Sequence, residues 1–184
     1  MIKRGIQFAI LSLLAYLLQS AVARHVAIAG VAPNFAIAII AVVSIALGRK
    51  YTFVISLAVG YLMEIMMPAL DYIYLILYPV CAMLGALAFA DKSERRMEEE
   101  RTSGKKVVRL PAHIRTMLCA MLSILVFESV NLLYIYLSGI RPDMGHYSRA
   151  LISALYTTLL AGLLQFPIRH WLNIRRPKKA PRLS

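Results

Sequence analysis

Acidic side chains and cysteines are scarce in this chain. Only 9 of its 184 residues are Asp or Glu, against 21 Lys or Arg, and it has two cysteines. Cys81 and Cys119 lie in different apolar stretches, so we expect buried free thiols rather than a disulfide framework. The four histidines are scattered, and no Cys/His spacing resembles a zinc site. We therefore expect no metal cofactor.

Signatures of catalysis are missing as well. The sequence has no glycine loop that would cradle a phosphate, no His-Glu-x-x-His helix and no nucleophile elbow. The net charge of +12 would suggest nucleic acid in a soluble protein. Here the basic residues lie between apolar stretches and in the tail, where they orient a membrane protein and attract anionic lipid headgroups. We expect a non-enzymatic protein whose partners include membrane lipids and exclude nucleic acid.

Long apolar runs are what the chain has in abundance. Hydrophobic residues make up 60% of it, and its mean hydropathy is +0.67, well above that of a soluble domain. A helix needs about 20 apolar residues to cross the hydrocarbon core of a bilayer. Six stretches qualify: Gly5–Ala23, Val31–Leu47, Tyr51–Pro68, Asp71–Ala90, His113–Ser138 and Tyr147–Ile168. The sequence thus predicts an all-α, six-helix transmembrane bundle over residues 1–170 and a basic tail at 171–184.

The basic residues predict the orientation of this bundle. Eighteen of the 21 Lys and Arg residues lie in alternate breaks or in the tail, and only Arg24, Arg141 and Arg149 lie on the other side. Because cytoplasmic loops carry the excess of Lys and Arg, both termini and the loop at 91–112 are predicted to be cytoplasmic.

One stripe of small and polar residues indicates which side of the third span faces the bundle. Thr52, Ser56, Gly60 and Glu64 recur every four residues, the spacing of one helix face. Helices in lipid associate through such small residues. We expect this face to point inward, and the Leu, Ile and Val residues to face lipid.

Two intramembrane glutamates are the strongest candidates for a site. A charged side chain at the bilayer centre costs about 2.5–3.5 kcal/mol on insertion scales, so such residues face a cavity or a partner. The predicted topology puts five polar residues at a similar depth in the outer half: Gln19, Asn34, Glu64, Glu128 and Asn131. Two interpretations remain open, because these residues could bond to one another and lock the bundle or line an outward-facing pocket.

Several short segments of residues 5–90 carry a family resemblance. They are Leu17-Leu18-Gln19-Ser20, Gly30-Val31-Ala32-Pro33-Asn34-Phe35 before an apolar helix, Gly48-Arg49-Lys50-Tyr51, and Gly60-Tyr61-Leu62-Met63-Glu64. Together they resemble the rod-shape-determining MreD family of bacterial inner-membrane proteins. The resemblance marks Pro33, Asn34 and Glu64 as positions that carry the family pattern.

This resemblance implies a component of the bacterial cell-elongation machinery. MreD-like proteins act with MreC, a periplasmic protein that has one membrane span, and through the complex with MreB, RodA and its transpeptidase. The implied fold is similar to that of the substrate-binding subunits of energy-coupling-factor vitamin transporters. The leading hypothesis is a scaffold that binds an MreC-like partner and helps to organise peptidoglycan synthesis.

A transport subunit is the alternative from a different class of function. It would hold a small, vitamin-type ligand in the pocket that the five polar residues could form. Subunits of this kind dock their partner through an Ala-x-x-x-Ala pattern on the first helix. The first span of this chain lacks that pattern, because Ala15 is followed four residues later by Gln19.

Overall fold

A computed structural model describes residues 2–28, 30–66, 72–90 and 110–172. Most of the predicted loop at 91–112 and of the tail at 171–184 lies outside these residues, as do Pro68 and Asp71. The described chain forms six α-helices: α1 Ile2–Leu17, α2 Phe35–Leu47, α3 Arg49–Met66, α4 Ile73–Phe89, α5 Ala112–Leu137 and α6 Met144–Trp171. A π-helical turn, Leu18–Val22, continues α1.

Three parts of this chain are long and apolar enough to cross a membrane: Gly5–Val22, Ala112–Leu137 and Met144–Trp171. The helices α2 and α4 are apolar but shorter, with 13 and 17 residues. Helix α3 has 18 residues and includes Arg49, Lys50 and Glu64. The all-helical fold is confirmed, and three membrane-crossing helices agree with a membrane protein, while six crossings stay a prediction.

Helix α2 is the centre of the bundle. Every residue from Phe35 to Ser44 is buried, and α2 packs against all five other helices. Its length is about 20 Å at 1.5 Å per residue. A helix enclosed by protein on every side need not match the thickness of the lipid, which explains how α2 can be both short and apolar all round.

The start of α2 follows from two residues. The predicted span begins at Val31, but the helix begins at Phe35. Pro33 has no backbone N–H, and it disfavours a helical conformation for the residue before it. The side chain of Asn34 then caps the helix by accepting a hydrogen bond from the N–H of Ile37 at 3.0 Å. At the other end, Gly48 (φ 89°) joins α2 to α3 in one residue.

The small residues of α3 face the bundle as expected. Thr52 and Ser56 are fully buried, and a Cβ on Gly60 would lie 2.7 Å from the carbonyl oxygen of Tyr74 on α4. Helix α6 shows the opposite face: Leu155, Leu159 and Leu163 are about three-fifths exposed or more. These leucines recur every four residues. Small residues therefore bring the helices together, and large apolar side chains cover the outside of the bundle.

Candidate functional site

All six candidate residues lie at one end of the bundle, where α1 and α3 end and α2 and α4 begin. This end, at which α5 also ends and α6 begins, is called here the α5–α6 end. It carries three separate arrangements of polar groups, built around Glu64, around the first residue of α2, and between α5 and α6.

Glu64 holds the first turn of α4. Its Oε1 accepts a hydrogen bond of 2.9 Å from the N–H of Tyr72, and its Oε2 accepts one of 2.8 Å from the N–H of Tyr74. The first N–H groups of a helix have no partner within the helix, and they form the positive end of its dipole. A carboxylate is therefore the acceptor best suited to this position. Tyr72, at the N-cap, has a positive φ of 65°.

Basic side chains hold the other end of α4. Arg49 donates from Nη2 to the carbonyl oxygen of Leu87 at 3.0 Å. Arg115 donates to the carbonyl oxygen of Phe89 from Nε at 2.9 Å and from Nη2 at 2.6 Å. Positive charges suit the C-terminal carbonyl groups for the same reason that Glu64 suits the N-terminus. Helix α4, which contains Pro79, is thus bound at both ends by charges from its neighbours.

The second arrangement surrounds the first residue of α2. Gln19, on the π-helical turn after α1, accepts a hydrogen bond of 2.7 Å from the N–H of Phe35. Thr157 on α6 accepts one of 2.9 Å at Oγ1 from the N–H of Asn34. The hydroxyl of Tyr78 on α4 contacts the Asn34 side chain. Side chains from both ends of the sequence thereby bind the backbone where α2 begins, next to the buried Pro33.

The third arrangement is an open cleft of about 450 Å³ between α5, α6 and the backbone of residues 30–32. Glu128 and Asn131 line it from α5, and His146, Arg149 and Ser153 line it from α6. The hydroxyl of Ser153 donates a hydrogen bond of 2.7 Å to Oε1 of Glu128. A cleft of this volume falls within the usual range of about 300–1,000 Å³ for small-molecule sites.

The six candidates therefore meet in groups rather than in one pocket. Gln19, Pro33 and Asn34 come together where α2 begins, Glu128 and Asn131 share the cleft, and Glu64 lies at the start of α4. None of the five polar candidates bonds to the side chain of another among the described residues. Where they have partners, these are backbone N–H groups and the hydroxyls of Tyr78 and Ser153.

Sequence reasoning missed the residues that complete these arrangements: Tyr78, His146, Arg149, Ser153 and Thr157. Ser153 and Thr157 are small residues within the sixth span, where such residues are typical of helix packing in a membrane. Arg149 counts only toward topology in the sequence. The signal that could have found Arg149 and Ser153 is their spacing of four residues, which puts a cation and a hydroxyl on one helix face.

Two other polar features complete the described chain. The side-chain amide of Gln165 donates to Nδ1 of His113 at 2.8 Å near the opposite end of the bundle, and Gln165 is fully buried. Both cysteines are buried and free. Within residues 2–28, 30–66, 72–90 and 110–172, no group of three or more His, Cys, Asp or Glu residues could hold a metal ion.

Comparison with known proteins adds no identification to this geometry. No family model matches the chain, and no curated protein or solved structure matches it either.

Proposed function

We propose that this chain is a non-enzymatic scaffold of the bacterial cell-elongation machinery. It crosses the inner membrane six times with both termini in the cytoplasm, and it binds an MreC-like partner that has one membrane span. Through this partner it associates with MreB, RodA and its transpeptidase and helps to organise peptidoglycan synthesis.

One observation carries the proposal. The residues that resemble the MreD pattern, Asn34 and Glu64, each bind the first turn of a helix. These helices are the two short apolar ones, α2 and α4. Polar side chains that would be costly inside a membrane thus stabilise the bundle by binding backbone N–H groups. This use of the family-marked residues suits a protein that presents a rigid surface to other proteins.

A groove between α1 and α3 is the surface that would receive the partner helix. It has a volume of about 470 Å³, and its lining is almost entirely apolar. Ala9, Ser12 and Ala58 lie in it between larger side chains such as Leu13 and Tyr61. Small residues let two helix backbones approach closely, which is the main source of attraction between helices in lipid.

Co-purification tests the scaffold and the groove separately. When the wild-type chain is expressed together with the MreC-like partner, the two proteins should copurify from detergent. Ala58→Trp fills the groove and should reduce the recovered partner at least about tenfold. Leu159→Trp, on an exposed face of α6, is the matched control and should leave recovery unchanged.

The two parts of this test fail in different ways. Equal recovery with Ala58→Trp and Leu159→Trp would place the partner elsewhere on the bundle. No complex with the wild-type chain, together with normal cell shape after depletion, would contradict the scaffold itself.

A transport subunit is the second candidate, and the cleft at Glu128 is the observation that favours it. Such a subunit would hold a vitamin-type ligand in this cleft. A thermal-shift screen with vitamins separates the two functions. Stabilisation by one vitamin, lost in Glu128→Gln, would support transport over the scaffold.

A further inference from the structure

Three polar groups in the cleft between α5 and α6 have no hydrogen-bond partner in the part of the chain that the structure describes. Glu128 uses Oε1 to accept the Ser153 hydroxyl, and its Oε2 has no hydrogen bond among the described residues. The side-chain amide of Asn131 and the guanidinium of Arg149 also line the cleft, and neither has a hydrogen bond among the described residues. A few polar groups on a cavity that are free to bond a ligand are typical of a ligand site.

Glu128 on α5 and Arg149 on α6 line the cleft at different levels. Arg149 and Ser153 are four residues apart, which corresponds to a rise of about 6 Å on one helix face. Arg149 is exposed and lies one turn nearer the start of α6 than Ser153, whereas Glu128 is half-buried. Ser153 holds the carboxylate of Glu128 one turn deeper. In the described part of the chain, no ion pair joins Arg149 to Glu128.

We propose that this cleft binds a small, soluble zwitterion of the amino-acid or short-peptide class. The ammonium group of the ligand donates to Glu128 Oε2 and to the carbonyl oxygen of the Asn131 side chain. Its carboxylate accepts from the guanidinium of Arg149, which suits this group because its donors match the two carboxylate oxygens. The apolar side chains of Leu132 and Ile135, also in the cleft, contact the body of the ligand.

The order of the charges favours a soluble ligand over a lipid headgroup. In a zwitterionic phospholipid the phosphate lies next to the acyl chains, and the ammonium extends toward the water. The cleft has the opposite order, with Glu128 deep and Arg149 near the opening. A zwitterion that enters from the water with its ammonium group first matches both charges.

Three probes built on alanyl-alanine test this assignment on the full chain in lipid nanodiscs. Alanyl-alanine carries both charges, N-acetyl-alanyl-alanine lacks the ammonium, and alanyl-alanine amide lacks the carboxylate. We expect alanyl-alanine to bind at least about tenfold more tightly than either derivative, because each derivative leaves one charge of the cleft without a partner. Calorimetry or microscale thermophoresis measures the affinities.

Two variants assign each charge to its residue. Glu128→Gln keeps an acceptor for Ser153 and should remove the preference for alanyl-alanine over its N-acetyl derivative. Arg149→Gln should remove the preference over the amide, and Arg149→Lys should restore part of it. Arg141→Gln changes a basic residue that does not line the cleft, and it should bind all three probes as the wild type does. Thermal unfolding without ligand confirms that each variant is folded.

Three results would overturn the proposal: equal affinity for the three probes, preferences that persist in both cleft variants, or no binding of alanyl-alanine. Displacement of alanyl-alanine by phosphatidylethanolamine, with no displacement by phosphatidylglycerol, would assign the cleft to a lipid headgroup instead. The residues of the α1–α3 groove do not take part, so the outcome is independent of partner binding by the scaffold.

Discussion

The carboxylate of Glu64 accepts a hydrogen bond of 2.8 Å from the backbone N–H of Tyr74, ten residues later and on the next helix. The same carboxylate binds the N–H of Tyr72 through its other oxygen. Two charge-assisted bonds thus connect the last turn of α3 to the first turn of α4. Closely beneath them, Gly60 lets the two backbones approach. Glu64 is therefore explained by the packing of α3 on α4.

Replacement of Glu64 should destabilise the bundle in proportion to the acceptors removed. Glu64→Leu leaves two N–H groups of α4 without partners, and we expect a loss of about 2–4 kcal/mol in the free energy of unfolding. Glu64→Gln keeps one acceptor and should lose about half as much. Tyr61→Leu, on an exposed position of the same helix, is the control. Equal unfolding curves in detergent for Glu64→Leu and Tyr61→Leu would contradict the capping role.

The hydrogen bonds at the start of α2 should contribute independently of those at α4. Gln19→Leu removes the acceptor of the Phe35 N–H, and Thr157→Val removes that of the Asn34 N–H. Each change should cost about 1–3 kcal/mol, because it leaves a buried N–H without a partner. Leu163→Val, on the exposed face of α6, is the control, because it changes a side chain without removing a hydrogen bond. Additive losses in a double variant with Glu64→Gln, measured by chemical unfolding, would support independence, and strong coupling would contradict it.

Two helical glycines should respond to alanine in opposite directions. A Cβ at Gly85 would collide with the Ser123 hydroxyl and lie 2.9 Å from the carbonyl oxygen of Cys119. Gly85→Ala should therefore force α4 away from α5 and lower the melting temperature. A Cβ at Gly162 meets only the flexible side chain of Met117, no closer than 3.4 Å. Gly162→Ala should be neutral or stabilise by up to about 1 kcal/mol, because alanine favours a helix. Equal melting temperatures for both variants would contradict the close contact of α4 with α5.

The cap of α6 should make part of the stability depend on pH. Asp143 accepts hydrogen bonds from the side chain of His146, which has the larger effect, and from its backbone N–H. These bonds hold the pKa of Asp143 below its ordinary value of 3.8. A depressed pKa in the folded state means that the contribution is present above pH 3.8 and is lost as the pH falls through the lower, folded value. Asp143→Asn keeps a good capping residue without a titrating group. Its melting temperature should fall less than that of the wild type between pH 6 and pH 2.

The inward faces of the helices could be predicted from the sequence, and the pairing of polar groups could not. The spacing of Thr52, Ser56 and Gly60 on one helix is enough to identify the buried side of α3. Glu64 binds the N–H groups of Tyr72 and Tyr74 only because α3 ends, and α4 begins, at particular residues. The partner of Asn34 is Thr157, 123 positions later. Which helices become neighbours, and how each is rotated, depends on packing over the whole bundle, for which hydropathy carries no signal.

The candidate site shows the same division. Glu128 and Asn131 could be chosen because polar side chains inside an apolar span are costly. Arg149 and His146 lie near the end of a span, where polar residues are ordinary, so their presence there did not mark them as site residues. Their place in the cleft depends on α6 lying beside α5, and only the tertiary structure supplies that information.

The enclosure of α2 has a consequence for biogenesis. Helix α2 is synthesised before α6, yet its surroundings are complete only after α6 has been synthesised. Until then its apolar surface must contact lipid or the insertion machinery. The N–H of Asn34 has no bond to Thr157 until that residue has been synthesised. We expect nascent chains truncated before α6 to be degraded as unassembled intermediates.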